Sequence, residues 1–176
     1  MKVEMKDLRE SQVDLQIDCT PEALELQDPE FSFPERVRGA VLFSLAGDKV
    51  LARGRLETTI EADCVRCLKK VRATLRAPVD VVYEIRKEAP TPELEVFGPG
   101  EDDERVAFFD GETIRPEPQL REALLIELPS LPVCDAACKG LCPRCGADLN
   151  EGVCGCELKG DEEPDWKSAL KKMKLD

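Results

Sequence analysis

Cysteine is the residue type that most constrains this chain, because eight of its nine cysteines lie in closely spaced groups. Cys64 and Cys67 form the pair C-V-R-C. Six more lie between residues 134 and 156 in the pattern C-x3-C-x3-C-x2-C-x8-C-x-C. Thiolates two or three residues apart on a turn can bind one tetrahedral metal ion. Cys19 stands alone, and we expect it to be a packing residue or a free thiol.

The last four cysteines are typical of a structural zinc site. The segment C-P-R-C-G at residues 142–146 has the composition of a metal knuckle, a turn whose backbone N–H groups reach the sulfur atoms. The four predicted ligands of this site, called site 1, are Cys142, Cys145, Cys154 and Cys156. The chain has no histidine, so a closed four-thiolate site is expected, and such sites are structural rather than catalytic. Iron is the alternative, either in a rubredoxin-like site or as an Fe–S cluster. A rubredoxin-like site usually shows two C-x2-C-G knuckles, and only one is apparent.

Counting alone assigns the remaining clustered cysteines to a second zinc site, called site 2. Its predicted ligands are Cys64, Cys67, Cys134 and Cys138, and it would attach the C-terminal cysteine-rich module to the main sheet. The alternative is a thiol redox role for Cys64 and Cys67. A redox C-x-x-C usually opens a helix, whereas the residues after this one alternate like a strand. We therefore expect one or two structural Zn2+ ions per chain. Disulfides are not expected, because cytosolic thiols are kept reduced.

The rest of the sequence predicts an α+β fold, a largely antiparallel β-sheet with one packed helix. Strand patterns occupy residues 12–18 and 37–85, with hairpin turns at A-G-D and at C-V-R-C-L-K-K. A short strand with a D-G turn is expected in V-A-F-F-D-G-E-T-I. The packed helix is predicted at 117–128, with Leu120, Leu124 and Leu128 on its apolar face.

Composition shifts divide the chain into three parts. We expect an α+β domain at 1–130, a Cys-rich zinc-binding module at 131–160 and a C-terminal amphipathic helix at 161–176. The domain includes a loop at 88–105 that is rich in proline, glycine and acidic residues. The terminal helix carries Trp166, Leu170 and Met173 on one face, and docking on this protein's own core is the favoured interpretation of that face.

Charge is unevenly distributed along the chain, whose formal net charge is −12. This acidity argues against a simple nucleic-acid coat. Residues 36–87, however, carry 12 basic and 6 acidic residues, and this segment could contact phosphates. The candidate RNA- or partner-binding residues are Arg66, Lys69, Lys70, Arg72 and Arg76. The alternative is that these charges pair with the acidic flanks and only solvate the sheet.

Several functional classes are disfavoured by what the sequence lacks. No apolar run approaches the ~20 residues needed to cross a bilayer. The first residues alternate charged and apolar types, so neither a signal peptide nor a transit peptide is expected, and we expect a cytoplasmic protein. Without histidine there is no imidazole base and no Ser-His or Cys-His nucleophile. Histidine-dependent catalysis is therefore not expected.

Two stretches carry a resemblance to a known family. The first runs from Leu56 through C-V-R-C-L at residues 64–68. The second runs from Leu128 through the cysteine-rich segment to Cys156, and the tail P-D-W with its lysine-rich continuation also fits. Together they resemble the YceD-like family, the large-subunit ribosomal RNA accumulation proteins, over most of residues 38–176.

The resemblance implies a non-enzymatic bacterial or plastid protein that is linked to accumulation of large-subunit ribosomal RNA. It therefore implies no catalytic residues and no small-molecule substrate. It implies ribosomal RNA or a ribosomal protein of the large subunit as the partner. The acidic remainder of the chain favours a basic ribosomal protein over naked RNA. A zinc-stapled adapter for another complex is the alternative, and the sequence separates the two only through the resemblance.

Overall fold

A computed structural model describes residues 1–85 and 106–156 of the chain. In chain order its elements are β1 (Val3–Glu4), α1 (Met5–Glu10), β2 (Val13–Cys19), a 3-10 helix (Pro21–Leu24), β3 (Val37–Ala46), β4 (Lys49–Asp63), β5 (Lys70–Ile85), β6 (Val106–Phe109), β7 (Thr113–Ile114) and α2 (Glu117–Ile126). Residues 127–156 form turns with one isolated bridge between Leu141 and Asp148. None of the described helices is long and apolar enough to cross a membrane.

Five strands form one sheet in the order β2-β3-β4-β5-β6. Neighbouring strands are antiparallel, except that β6 runs parallel to β5, with Val106 opposite Val82. The pairing of β4 with β5 extends from Val50–Tyr83 to Asp63–Lys70. The turn at residues 64–69 therefore lies at the end of a long, continuously paired hairpin. β1 and β7 pair separately.

The core lies on one face of the sheet, because apolar side chains alternate with polar ones along the strands. Val41, Phe43 and Leu56 are fully buried there, and burial of each such large side chain contributes about 1.5–3 kcal/mol. α2 packs Leu120 and Leu124 into the same cluster. These contacts hold α2 against the sheet, and they thereby fix where the chain after α2 begins.

The α+β class and both predicted hairpins are confirmed. The packed helix is present but ends at Ile126, two residues before the predicted end. Leu128 precedes Pro129, and a residue before proline is disfavoured in the helical region. The short strand in V-A-F-F-D-G-E-T-I is present as β6, followed by β7, but its parallel pairing was not predicted.

α1 was also not predicted. This six-residue helix buries only Met5 and Leu8, and one pair of apolar residues is too short a pattern to indicate a helix. The predicted loop at 88–105 and terminal helix at 161–176 lie outside the described residues. The three-part division of the chain stays a prediction.

Candidate metal centres

The eight clustered cysteines form two groups of four in space. Within each group, all four sulfur atoms lie within 4.8 Å of one another, and the groups are the two sets that the spacing predicts as site 1 and site 2. In a tetrahedral zinc site, Zn–S bonds of about 2.3 Å place the sulfur atoms about 3.8 Å apart. In site 2 the Sγ atoms of Cys67 and Cys134 are 3.5 Å apart, and those of Cys64 and Cys138 are 4.0 Å apart. The sulfur atoms are therefore spaced for one four-coordinate ion per site.

Each site contains a C-x-x-C turn of the same backbone conformation. The N–H of Leu68 donates to the carbonyl of Cys64, and the N–H of Gly146 donates to the carbonyl of Cys142, both at 2.9 Å. Leu68 and Gly146 have φ angles of 60° and 72°. Sequence reasoning missed the knuckle in site 2, because Leu68 occupies the position where glycine normally supplies a positive φ.

Hydrogen-bond donors surround the sulfur atoms and favour their ionised form. The backbone N–H of Arg66 lies 3.4 Å from the Cys64 sulfur, and the Asn150 amide lies 3.4 Å from the Cys138 sulfur. Burial opposes ionisation of Cys64, but backbone N–H groups around it lower its pKa to about 6. The N–H groups of its own knuckle likewise lower the pKa of Cys142 to about 6. In each site, hydrogen-bond donors thus favour the thiolate form of at least one ligand.

Other thiols of the two sites resist ionisation. Hydrogen bonds with neighbouring thiols raise the pKa of Cys134 and of Cys156 to about 12. Several adjacent thiolates repel one another, so the whole set ionises only when a cation compensates their charge. The residues therefore fit a metal ion that binds thiolates. All nine cysteines are free thiols.

Cys19 belongs to neither site. It lies at the end of β2, half-buried against the core cluster, and burial raises the pKa of its thiol. This position agrees with the expected packing role.

Arg66 connects the β4–β5 turn to the cysteine-rich module. Its carbonyl accepts the N–H of Leu141 at 3.0 Å, and its guanidinium donates to the carbonyls of Ala136 and Cys138 at 3.2 and 2.9 Å. Gly140 has a φ of 75°, and a Cβ at this position would lie 2.9 Å from the Arg66 carbonyl oxygen. The close approach of the two backbones therefore requires glycine here.

Further contacts hold the module against the same turn. The N–H of Val65 donates to the carbonyl of Pro132 at 2.9 Å. The Lys69 ammonium lies 2.7 Å from the Asp148 carboxylate and 2.9 Å from that of Glu151. A hydrogen bond from Lys69 lowers the pKa of Asp148. The segment that connects the first two ligands of site 1 to the last two is thus bound to the β4–β5 turn, which carries two ligands of site 2.

The five basic residues predicted to contact RNA or a partner all have intramolecular partners. Arg66 and Lys69 hold the module, as described above. The other three pair across the exposed face of the sheet: Lys70 with Asp63, Arg72 with Glu35, and Arg76 with Glu57. Exposed pairs of this kind contribute only about 0–1 kcal/mol, so phosphates could replace the carboxylates. The RNA-binding prediction thus stays untested for all five residues, and the contacts of Arg66 and Lys69 also hold the module to the β4–β5 turn.

The family model described as "Large ribosomal RNA subunit accumulation protein YceD" matches residues 52–174, a range that includes every cysteine of both sites. The chain belongs to the YceD family. This confirms the resemblance found in the two sequence stretches. The family's name refers to accumulation of the large ribosomal RNA subunit.

The chain is similar to curated proteins from bacteria and plants. An uncharacterized protein of Mycobacterium tuberculosis (strain ATCC 25618 / H37Rv) is 33% identical over 100 residues, which are 57% of this chain and 45% of that protein. An uncharacterized protein of Mycobacterium leprae is 30% identical over 102 residues, 58% of this chain and 44% of that protein. The chloroplastic YCED homolog 1 of Arabidopsis thaliana is 44% identical over 46 residues, 26% of this chain and 13% of that protein.

The match therefore spans less than half the length of the mycobacterial relatives. No solved structure matches the chain.

Proposed function

We propose that this YceD-family protein is a non-enzymatic cytoplasmic factor that supports accumulation of large-subunit ribosomal RNA. The match of the family model over residues 52–174 carries the proposal. The name of the Arabidopsis relative refers to the same role. The matched range includes most of the β4–β5 hairpin, α2 and both cysteine sites, so the proposed function is assigned to the unit that these sites hold together.

Each four-cysteine site is proposed to bind one structural Zn2+ ion. Four sulfur donors at tetrahedral spacing leave no open position for a substrate. A rubredoxin-like iron site has two C-x2-C-G knuckles around one ion, whereas site 1 contains one such knuckle and the single C-x-x-C turn of site 2 has Leu68 in place of the glycine. Zinc would supply folding free energy to residues 127–156, which contain no helix or extended strand of their own.

The geometry favours metal binding over redox chemistry at Cys64 and Cys67. These residues lie in a turn between two strands rather than at the start of a helix, and each sulfur lies at 4.0 Å or less from a sulfur of the module. The test is the rate at which native thiols react with a thiol reagent. Metal-bound thiols should react slowly until a chelator is added, whereas fast reaction without chelator would favour the redox alternative.

The partner is proposed to be a basic ribosomal protein of the large subunit, with direct contact to ribosomal RNA as the second candidate. The net charge of −12 favours a basic protein, and the intramolecular pairing of the five basic residues weakens the case for RNA. A triple charge reversal at Lys70, Arg72 and Arg76 should weaken any RNA binding and flatten its salt dependence. A control away from this face of the sheet is Lys6→Glu with Arg9→Glu in α1. If the triple reversal leaves association with large-subunit components unchanged, these three residues do not contact RNA, which favours the protein partner.

Depletion of the protein tests the proposed function directly. The ratio of large- to small-subunit ribosomal RNA should fall, and the wild-type protein should restore it. A variant with Cys64→Ser and Cys142→Ser should fail to restore the ratio, because each site loses a ligand. An unchanged ratio after depletion would contradict the proposal. Affinity capture followed by mass spectrometry separates the adapter alternative, which predicts non-ribosomal partners.

A further inference from the structure

An apolar groove lies beside site 2, between the sheet and the segment that leads from α2 to Cys134. Its volume is about 200 Å³. The lining residues include Phe31, Ile60, Val71, Ala73, Leu131 and Val133. Leu131 is 71% exposed and Ala73 is also exposed. An apolar concavity with an exposed leucine at its edge is a contact surface that lacks a cover among the described residues.

We propose that residues 161–176, the C-terminal segment of this chain, dock in the groove through Trp166, Leu170 and Met173. These three residues follow a spacing of four and then three, which places them on one face of a helix. The family model extends to residue 174, so the segment belongs to the same family unit as the residues on β4, β5 and 129–133 that line the groove.

The segment has the length to reach this groove. It follows Cys156 of site 1, and the module that contains site 1 contacts the β4–β5 turn through Lys69. Val133 of the groove directly precedes Cys134 of site 2. Residues 157–165, which connect Cys156 to the first docking residue Trp166, can span about 30 Å when extended, whereas a compact unit of the size of the module, residues 134–156, has a radius of gyration of about 7 Å. The extended length of the connecting segment is therefore greater than the width of the module that it must pass.

Charge also favours this segment as the occupant. Residues 165–176 carry four lysines and two aspartates. Glu30 directly precedes the groove residue Phe31, Glu127 lies two residues before Pro129, and both glutamates are exposed. Lysines beside the apolar face can therefore approach acidic residues near the groove.

Tryptophan fluorescence tests the proposal in the full-length, zinc-loaded protein, because Trp166 is the only tryptophan in the chain. Docking predicts emission at shorter wavelength than in the urea-unfolded protein and weak quenching by acrylamide. Leu131→Glu and Ala73→Glu place a charge in the groove at exposed positions. Each should shift the emission to longer wavelength and raise the quenching constant severalfold.

The matched control is Leu45→Glu, since Leu45 is a partly exposed apolar residue outside the groove. It pairs with Val50, ten residues along β4 from Ile60, or about 33 Å away. This variant should leave the emission unchanged. Circular dichroism and zinc content should be the same in all three variants.

A variant in the C-terminal segment tests the other side of the proposed contact. Met173→Glu should expose Trp166 without altering the groove. Wild-type emission that matches the unfolded protein, or emission that neither groove variant changes, would overturn the proposal. Emission that shifts to longer wavelength on dilution would assign the groove to a second copy of the chain. Emission that shifts to shorter wavelength only on addition of a ribosomal protein would assign it to that partner, and either result overturns intramolecular docking.

Discussion

Replacement of Gly140 by alanine should destabilise the junction between the β4–β5 turn and the cysteine-rich module. Gly140 has a φ of 75°, and a left-handed conformation costs an L-residue about 1–2 kcal/mol. The added Cβ would also lie 2.9 Å from the carbonyl oxygen of Arg66. This neighbour is backbone, so it cannot move aside by rotating a side chain.

The clash adds a second cost to the conformational one. The Arg66 carbonyl accepts the N–H of Leu141 at 3.0 Å, and a hydrogen bond of this kind contributes about 1 kcal/mol net. If the alanine displaces the carbonyl, this bond is weakened or lost. Gly140→Ala should therefore lower the free energy of unfolding by about 2–3 kcal/mol.

Gly146→Ala is the matched control for the contact. Gly146 has a φ of 72°, but no non-neighbouring atom of the described residues lies within 4 Å of a Cβ built there, so only the conformational cost of about 1–2 kcal/mol applies. The two variants should differ by about 1 kcal/mol, which corresponds to about a fivefold difference in an equilibrium constant.

Equilibrium unfolding in urea measures both variants against the wild type. Circular dichroism reports unfolding, and free Zn2+ is buffered at the same concentration throughout, because metal binding shifts the equilibrium. The transition midpoint should fall further for Gly140→Ala than for Gly146→Ala. Equal midpoints would refute the argument that the Arg66 carbonyl restricts position 140.

Three further predictions concern metal content, the Arg66 contacts and the buried tyrosine. Metal analysis should find two Zn2+ per chain in the wild type. Cys64→Ser and Cys142→Ser should each lower the zinc content toward one ion per chain, and a wild-type content of one ion would contradict the second site. Arg66→Ala should lower stability by about 1–3 kcal/mol through two lost hydrogen bonds and speed zinc release to a chelator, whereas Arg144→Ala, at the equivalent knuckle position, should have little effect. Burial raises the pKa of Tyr83, so the native state keeps this phenol protonated at pH values where the unfolded chain, with a pKa of about 10, ionises it. The contribution of the protonated phenol to the free energy of unfolding is present below about pH 10 and should be lost as the pH rises above it. Titration followed by ultraviolet absorbance should give a higher midpoint pH for ionisation of Tyr83 in the native than in the unfolded protein. Equal midpoints would refute burial of the phenol.

Local patterns in the sequence were sufficient to predict the hairpins, α2 and the two cysteine sets. Ligand spacing is itself local, and after one set was assigned, only four clustered cysteines remained. The turn at residues 64–69 was predicted, but the positive φ of Leu68 was not, because leucine rarely adopts this conformation and nothing in the sequence marks it. The Leu68 side chain is 64% exposed, so no buried contact explains the choice of leucine.

Long-range contacts account for the other differences between sequence and structure. Arg66 was one of the candidates for contact with RNA or a partner, a prediction that stays untested, and its guanidinium donates to backbone carbonyls about 70 residues later in the chain. A carbonyl acceptor exists at every residue, so no sequence pattern identifies it. The parallel pairing of β6 with β5 is equally non-local, because the chain between them is long and carries no strand signal.

The two sites differ in how much chain must be synthesised before each can close. All ligands of site 1 lie within 142–156, whereas site 2 joins Cys64 to Cys138. In the chain-entropy model, a cross-link over 15 residues removes about 3 kcal/mol of unfolded-state entropy and one over 75 residues about 4.5 kcal/mol. A ribosome adding about 5–20 residues per second needs about 3–13 s to proceed from Cys67 to Cys134. During that interval Cys64 and Cys67 are outside a completed site, so a metal ion in site 2 would mark a chain whose sheet and module have both been made and brought together.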